Sequence, residues 1–121
     1  MGWLVPQQAE FMRDLARLID WIHTRGMVVT GGELSRTREQ QELYFRSGKS
    51  KTMNSQHMKR LAIDLNIFRV VEGGVPRLTY EKAELQEVGD YWESLSKRNR
   101  WGGNWKTFCD TAHFEKRDWD D

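Results

Sequence analysis

With Cys109 as its one cysteine, the chain has no internal disulfide, which fits a reducing compartment and speaks against a closed, cysteine-rich structural zinc site. An excess of charge of one sign is missing too. Nineteen Lys and Arg against eighteen Asp and Glu leave a formal net charge of +1, so there is no basic field to make nucleic acid an expected partner. No apolar run approaches bilayer-spanning length, and no membrane insertion is expected. Met1–Pro6 lacks the charged start and the apolar length of a signal peptide, so cytoplasmic synthesis without an export signal is expected. No internal repeat or low-complexity segment breaks up the 121 residues, and residues 1–121 are expected to form a single domain around one core.

Histidine is scarce, and two of the three stand where packing does not explain them. From Leu61 to Phe68 the sequence alternates, with Leu61, Ile63, Leu65 and Ile67 on one face of a predicted strand and Ala62, Asp64, Asn66 and Phe68 on the other. A carboxylate in so apolar a strand is costly to bury unless it pairs with a cation or binds a metal. His57 lies just upstream, in a polar stretch able to fold over Asp64. Asp110-Thr111-Ala112-His113-Phe114-Glu115 reads as a turn entering a second strand, with His113 and Glu115 on one face. His57, Asp64 and His113 would form a two-histidine, one-carboxylate site that leaves zinc a fourth position for water. Asp110, three residues before His113, is placed to act as general base for that water. Glu115 is a candidate to orient a ligand from behind. His23, on the edge of a helical stripe, is read as structural or exposed.

These residues carry a resemblance. Ser55, His57, Ala62 and Asp64, followed by Asp110 and His113, match the Ser-x-His-x-x-Gly-x-Ala-x-Asp motif and the downstream acid and histidine of a peptidoglycan-cleaving family. That family holds zinc D,D-carboxypeptidases, L-alanyl-D-glutamate endopeptidases, phage endolysins and vancomycin-resistance dipeptidases. The likeness extends to Gly32-Glu33-Leu34-Ser35-Arg36-Thr37 and to Trp101-Gly102-Gly103-Asn104-Trp105. Arg60 departs from it, standing where the family has Gly, and a positive φ there would strain it.

The resemblance implies an α+β fold, a small antiparallel sheet packed with about three helices, of the Hedgehog and D,D-peptidase type. It implies zinc as cofactor and the peptidoglycan stem peptide as substrate, cut by a monomer that another factor delivers to the wall. L-alanyl-D-glutamate is the expected bond. D-alanyl-D-alanine hydrolysis is the alternative, as is a non-catalytic zinc-containing binding module, against which Asp110 speaks. A third reading makes Cys109 a nucleophile with His113 as base; small-residue packing is the plainer role for that cysteine. Arg36 is a solvated arginine on composition alone, but by resemblance it binds a substrate carboxylate. Ser55 either bonds the substrate or closes its turn, and Glu33 either holds Arg36 or is exposed.

Elsewhere, periodicity predicts helices from about Gln7 to Arg25, from Arg38 to about Ser47 behind a Thr37 cap, and from Thr79 to about Lys97. Met27–Thr30 reads as a strand, and Glu72-Gly73-Gly74 as the turn of a hairpin. Gly48–Asn54 is a polar loop at the rim of any cleft. Trp101 and Trp105 divide evenly between cleft lining and core. The charged tail from Lys116 is expected to fray.

Overall fold

Phe11, Leu15, Leu18 and Ile22 recur at helical spacing, and in the computed structural model they form the buried stripe of α1 (Leu4–Thr24). The structure describes residues 3–50 and 55–119; Lys51 and Thr52 of the polar loop lie outside that range. Helix α1 begins before the expected Gln7 because Pro6 falls in its first turn, where a missing N–H removes no helical bond. Strand β1 (Val28–Gly31) follows. Helix α2 (Arg38–Ser47) is capped by the Thr37 hydroxyl, which accepts from the Gln40 amide at 3.0 Å, and it stops at Gly48.

The alternating stretch is the central strand, β2 (Ala62–Val70), with Leu61, Ile63, Leu65 and Ile67 buried. Strands β3 (Pro76–Thr79), β4 (Asn99–Trp101) and β5 (His113–Lys116) complete a five-stranded antiparallel sheet in the order β1-β2-β5-β4. β3 pairs with β2 through Ile67↔Thr79 to Val70↔Pro76, beyond the stretch that β5 occupies. Helix α3 (Lys82–Ser94) carries Leu85, Val88 and Trp92 into the same core as α1, together with Trp101 and Phe114. Burying such side chains contributes roughly 1.5–3 kcal/mol each, which outweighs the modest propensities of the individual elements. The result is the expected α+β architecture, with three α-helices among the described residues on a small antiparallel sheet.

Two local expectations are corrected. Thr79 does not cap α3: it is tied into the sheet opposite Ile67, and the helix starts at Lys82. The Thr79 hydroxyl instead accepts from the Glu81 amide and donates to Glu84. The tail does not fray as far as Trp119. Lys116 is buried, with its ammonium 2.9 Å from Asp14 of α1, Asp118 accepts from Lys59 at 2.6 Å, and the Trp119 amide donates to Gln7.

Arg60 does take the conformation that the family's glycine suggests, with φ 57° and ψ 39°. A left-handed conformation costs a residue bearing a Cβ about 1–2 kcal/mol, of which glycine's extra chain entropy returns about half. Arg60→Gly is therefore expected to stabilise the protein by about 0.5–1 kcal/mol in urea unfolding. An unchanged or lower midpoint would contradict this.

Candidate metal centre

The sheet register brings the first two site residues together. Asp64 and His113 are direct cross-strand partners of β2 and β5, so their side chains rise side by side on the face away from the core. Backbone bonds fix this corner: the Gly32 amide donates to the Asp64 carbonyl at 2.7 Å, and the Asp64 amide to the Glu33 carbonyl at 2.9 Å. Gly32 is required for that approach, since a Cβ there would lie 2.8 Å from the Asp64 oxygen.

His57 arrives on a single 3-10 turn, Gln56–Lys59, capped by Ser55, whose hydroxyl accepts from the His57 amide at 3.2 Å. The turn buries the imidazole almost fully. Its Nδ1 lies 3.2 Å from the Leu34 carbonyl, which can only accept, so Nδ1 carries the proton and Nε2 is left to face Asp64. His113 is oriented the opposite way: Nε2 donates to Glu115 at 2.7 Å, and Nδ1 faces Asp64. Glu115 thus stands behind the ring, where the sequence places it.

Asp64 Oδ1 sits 3.4 Å from His57 Nε2 and 3.5 Å from His113 Nδ1, buried and without a hydrogen-bond partner. Two ligands each about 2.0–2.1 Å from one tetrahedral zinc stand roughly 3.3–3.4 Å apart. The three donor atoms, all within 4.8 Å of one another, have the spacing of ligands around a shared cation rather than of partners bonded to one another. Burial raises the Asp64 carboxyl, but the two imidazoles outweigh it and hold the group well below the usual range, ionised as a ligand must be.

Burial lowers His113, but Asp64 and Glu115 outweigh it and hold the imidazole up at about 9 in the metal-free protein. A folded value above the ordinary 6.5 means that folding takes up a proton. The resulting stabilisation is complete below about pH 6.5 and is lost as pH rises through about 9. Metal-free protein is expected to unfold at lower urea near pH 9.5 than near pH 6.5, and His113→Gln should remove most of that difference. A midpoint that does not move with pH would contradict it.

Asp110 enters from the loop before β5. Its amide donates to the Gly102 carbonyl at 3.0 Å, and a Cβ at Gly102 would meet the Asp110 carbonyl oxygen at 2.3 Å, so only glycine allows this seat. One carboxylate oxygen accepts from the Ala112 amide at 3.2 Å. Burial, only partly countered by His113, pushes the carboxyl up. Asp110 lines a cleft of about 600 Å³ together with His57, Asp64, His113 and Glu115.

Arg36 and Ser55 line the same cleft, each already engaged. Arg36 bonds Glu33, Gln41 at 2.6 Å and Ser55 at 3.4 Å, so Glu33 does hold Arg36, and Ser55 does close its turn. The two tryptophans divide: Trp101 is fully buried in the core, whereas Trp105 lies half-exposed over His113 with ring centroids 5.0 Å apart. Cys109 corrects an expectation. It is exposed rather than packed, with Sγ 3.5 Å from the Gly103 carbonyl, and both nitrogens of His113 are directed at carboxylates instead. His23 is exposed at the end of α1 and does not line the cleft. Sequence reasoning missed Tyr44, which donates to Glu33 at 3.2 Å from the cleft wall, and the Leu34 carbonyl that sets the His57 tautomer. Backbone acceptors carry no signal in a side-chain pattern.

The profile of the D-alanyl-D-alanine carboxypeptidase family matches residues 48–116, the span that contains Ser55, His57, Asp64, Asp110 and His113. The chain belongs to that peptidase family. It is 33% identical over 101 residues to the L-alanyl-D-glutamate peptidase of Listeria phage A118, a match covering 82% of this chain and 34% of that protein. The chain therefore spans about a third of the length of this relative. Its backbone resembles the crystal structure of the Serratia marcescens L-Ala D-Glu endopeptidase ChiX, with a TM-score of 0.66 and 24% identity over 87% of this chain and 79% of that one. At that identity the likeness shows a shared fold. No helix among the described residues is long and apolar enough to cross a membrane.

Proposed function

We propose that this chain is a zinc-dependent peptidoglycan peptidase that hydrolyses the stem peptide at the L-alanyl-D-glutamate bond. The observation that carries this reading is the orphaned Asp64 oxygen held between two imidazole nitrogens at 3.4 and 3.5 Å. His57, Asp64 and His113 would hold the ion. Bound there, zinc would supply a Lewis acid that polarises the scissile carbonyl and acidifies the attacking water.

The protein's own groups do the rest. Asp110, its carboxyl raised by burial, takes the proton of the attacking water and passes it to the leaving amine. Leu34 and Glu115 lock the two imidazoles in the tautomers that leave His57 Nε2 and His113 Nδ1 free to ligate. Trp105 covers His113 and limits water on that side. A base beside the ion favours catalysis over a binding module.

A second groove, lined by Asn66, Tyr80, Lys82, Cys109 and Thr111, meets the first at Asp64 and Asp110. Grooves on both sides of the reacting centre suit an internal bond, with peptide extending both ways. The name of the phage relative supports the same choice. The family description favours D-alanyl-D-alanine hydrolysis, which remains the second reading. In either case the chain would act on the cell wall after delivery by another factor.

Digestion of purified peptidoglycan, with the new termini read by mass spectrometry, separates these readings. The expected products carry new C-terminal L-alanine and N-terminal D-glutamate; release of terminal D-alanine would favour the alternative. Chelation should abolish the reaction and zinc restore it, with Cys109→Ser still active.

A further inference from the structure

The cations lining the cleft among the described residues are Arg36, Lys49, Lys59 and Arg117. Arg36 is the one the family resemblance assigns to the substrate, yet its side chain is 9% exposed and most of its donors are engaged. Nε and Nη2 bond Glu33, and Nη1 bonds Gln41 and Ser55. Through these contacts Arg36 reaches His57 twice. Ser55 accepts from the His57 amide, and Glu33 lies 3.8 Å from His57 Nδ1. Lys59 donates to Asp118, and Arg117 sits in the field of the same carboxylate.

Lys49 is different. It is exposed, its ammonium lies 5.6 Å from the centroid of the Tyr44 ring, and no carboxylate among the described residues is within ion-pair distance. The Arg36 guanidinium lies 4.6 Å from the same ring. Tyr44 therefore serves as a platform for two cations, one locked into the wall and one at the rim. A substrate carboxylate entering here would displace Glu33 to reach Arg36, but would meet Lys49 without breaking an ion pair among the described residues.

We propose that Lys49, seated over Tyr44, is a specificity-determining residue that takes the free carboxylate of an acidic residue next to the scissile bond, and that Arg36 is a positioning residue for the His57 turn. This rests on the peptidase reading above. A glutamate residue joined to the chain through one of its two carboxyl groups leaves the other free, which is the anion the site would read. Lysine suits this role as a mobile point charge, whereas a guanidinium already forked onto Glu33 and Gln41 does not.

The test compares synthetic stem peptides whose free glutamate carboxylate is intact or amidated, using zinc-loaded protein. In the wild type, amidation should raise KM about two- to fivefold. Lys49→Gln should raise KM for the acid peptide by the same factor and abolish the distinction, and Lys49→Arg should restore most of it. Arg36→Lys should lower kcat and zinc affinity while the acid-to-amide ratio persists. A wild type indifferent to amidation, or a Lys49→Gln variant that still discriminates, would overturn the proposal with the peptidase reading intact. Should neither peptide be cleaved, that reading fails by itself. Equilibrium binding of the N-acetyl-D-glutamate γ-methylamide, which keeps one carboxylate, against the same molecule with that carboxylate amidated, in wild type and Lys49→Gln, then decides the carboxylate site alone: Lys49-dependent preference for the acid supports it, and equal binding overturns it.

Discussion

Asp110→Asn is expected to keep one metal ion per chain and to lose about 10²–10⁴-fold in kcat, the usual contribution of a positioned general base. Asparagine preserves the shape of the side chain and an oxygen that can accept from the Ala112 amide, so the loop before β5 should hold. What it removes is the ability to take a proton. The aspartate suits that task because burial raises its carboxyl toward the working pH, while its lodging against Gly102 keeps it at the cleft wall beside the three proposed ligands. Activity in the wild type should fall as pH drops through that raised value. Loss of metal in Asp110→Asn, measured by zinc titration, would make Asp110 a ligand; near-normal turnover would remove it from the chemistry.

The largest effect on stability is expected away from the cleft. Lys116 is 1% exposed, and its ammonium donates to Asp14 of α1, which also accepts from Asn99 and Arg17. The pair bridges the first helix and the strand that carries His113. Lys116→Met removes one charge and leaves the other nearly buried, so unfolding should be easier by about 3–5 kcal/mol. Replacing both residues, Asp14→Leu with Lys116→Met, should recover most of that loss, because the desolvation cost of the pair disappears with it. Urea unfolding of the two single variants and the double variant closes the cycle. A single substitution costing under about 1 kcal/mol would show that the pair does not hold α1 to β5.

Periodicity carried most of the fold. The apolar stripe of α1, the Thr37 cap of α2 and the alternation of β2 are local patterns, and each element forms where its pattern lies. The same alternation exposed Asp64 as out of place, and that oddity leads to the site. Missed features depend on distant partners. The Lys116 tail reads as solvated because Asp14 is 102 residues away, and Thr79 reads as a cap because its pairing with Ile67 is a property of the sheet. Arg36 shows a further limit: residue type and position put it at the cleft, but only the fold shows that Glu33, Gln41 and Ser55 already occupy its donors.

Zinc titration of the metal-free protein, followed by calorimetry in wild type and in His57→Ala, Asp64→Ala and His113→Ala, tests the central claim most directly. One ion per wild-type chain is expected, with each substitution weakening binding by more than about 100-fold, beyond what losing an orienting partner behind a ligand costs. Wild-type affinity surviving in any one of the three variants would contradict the shared centre.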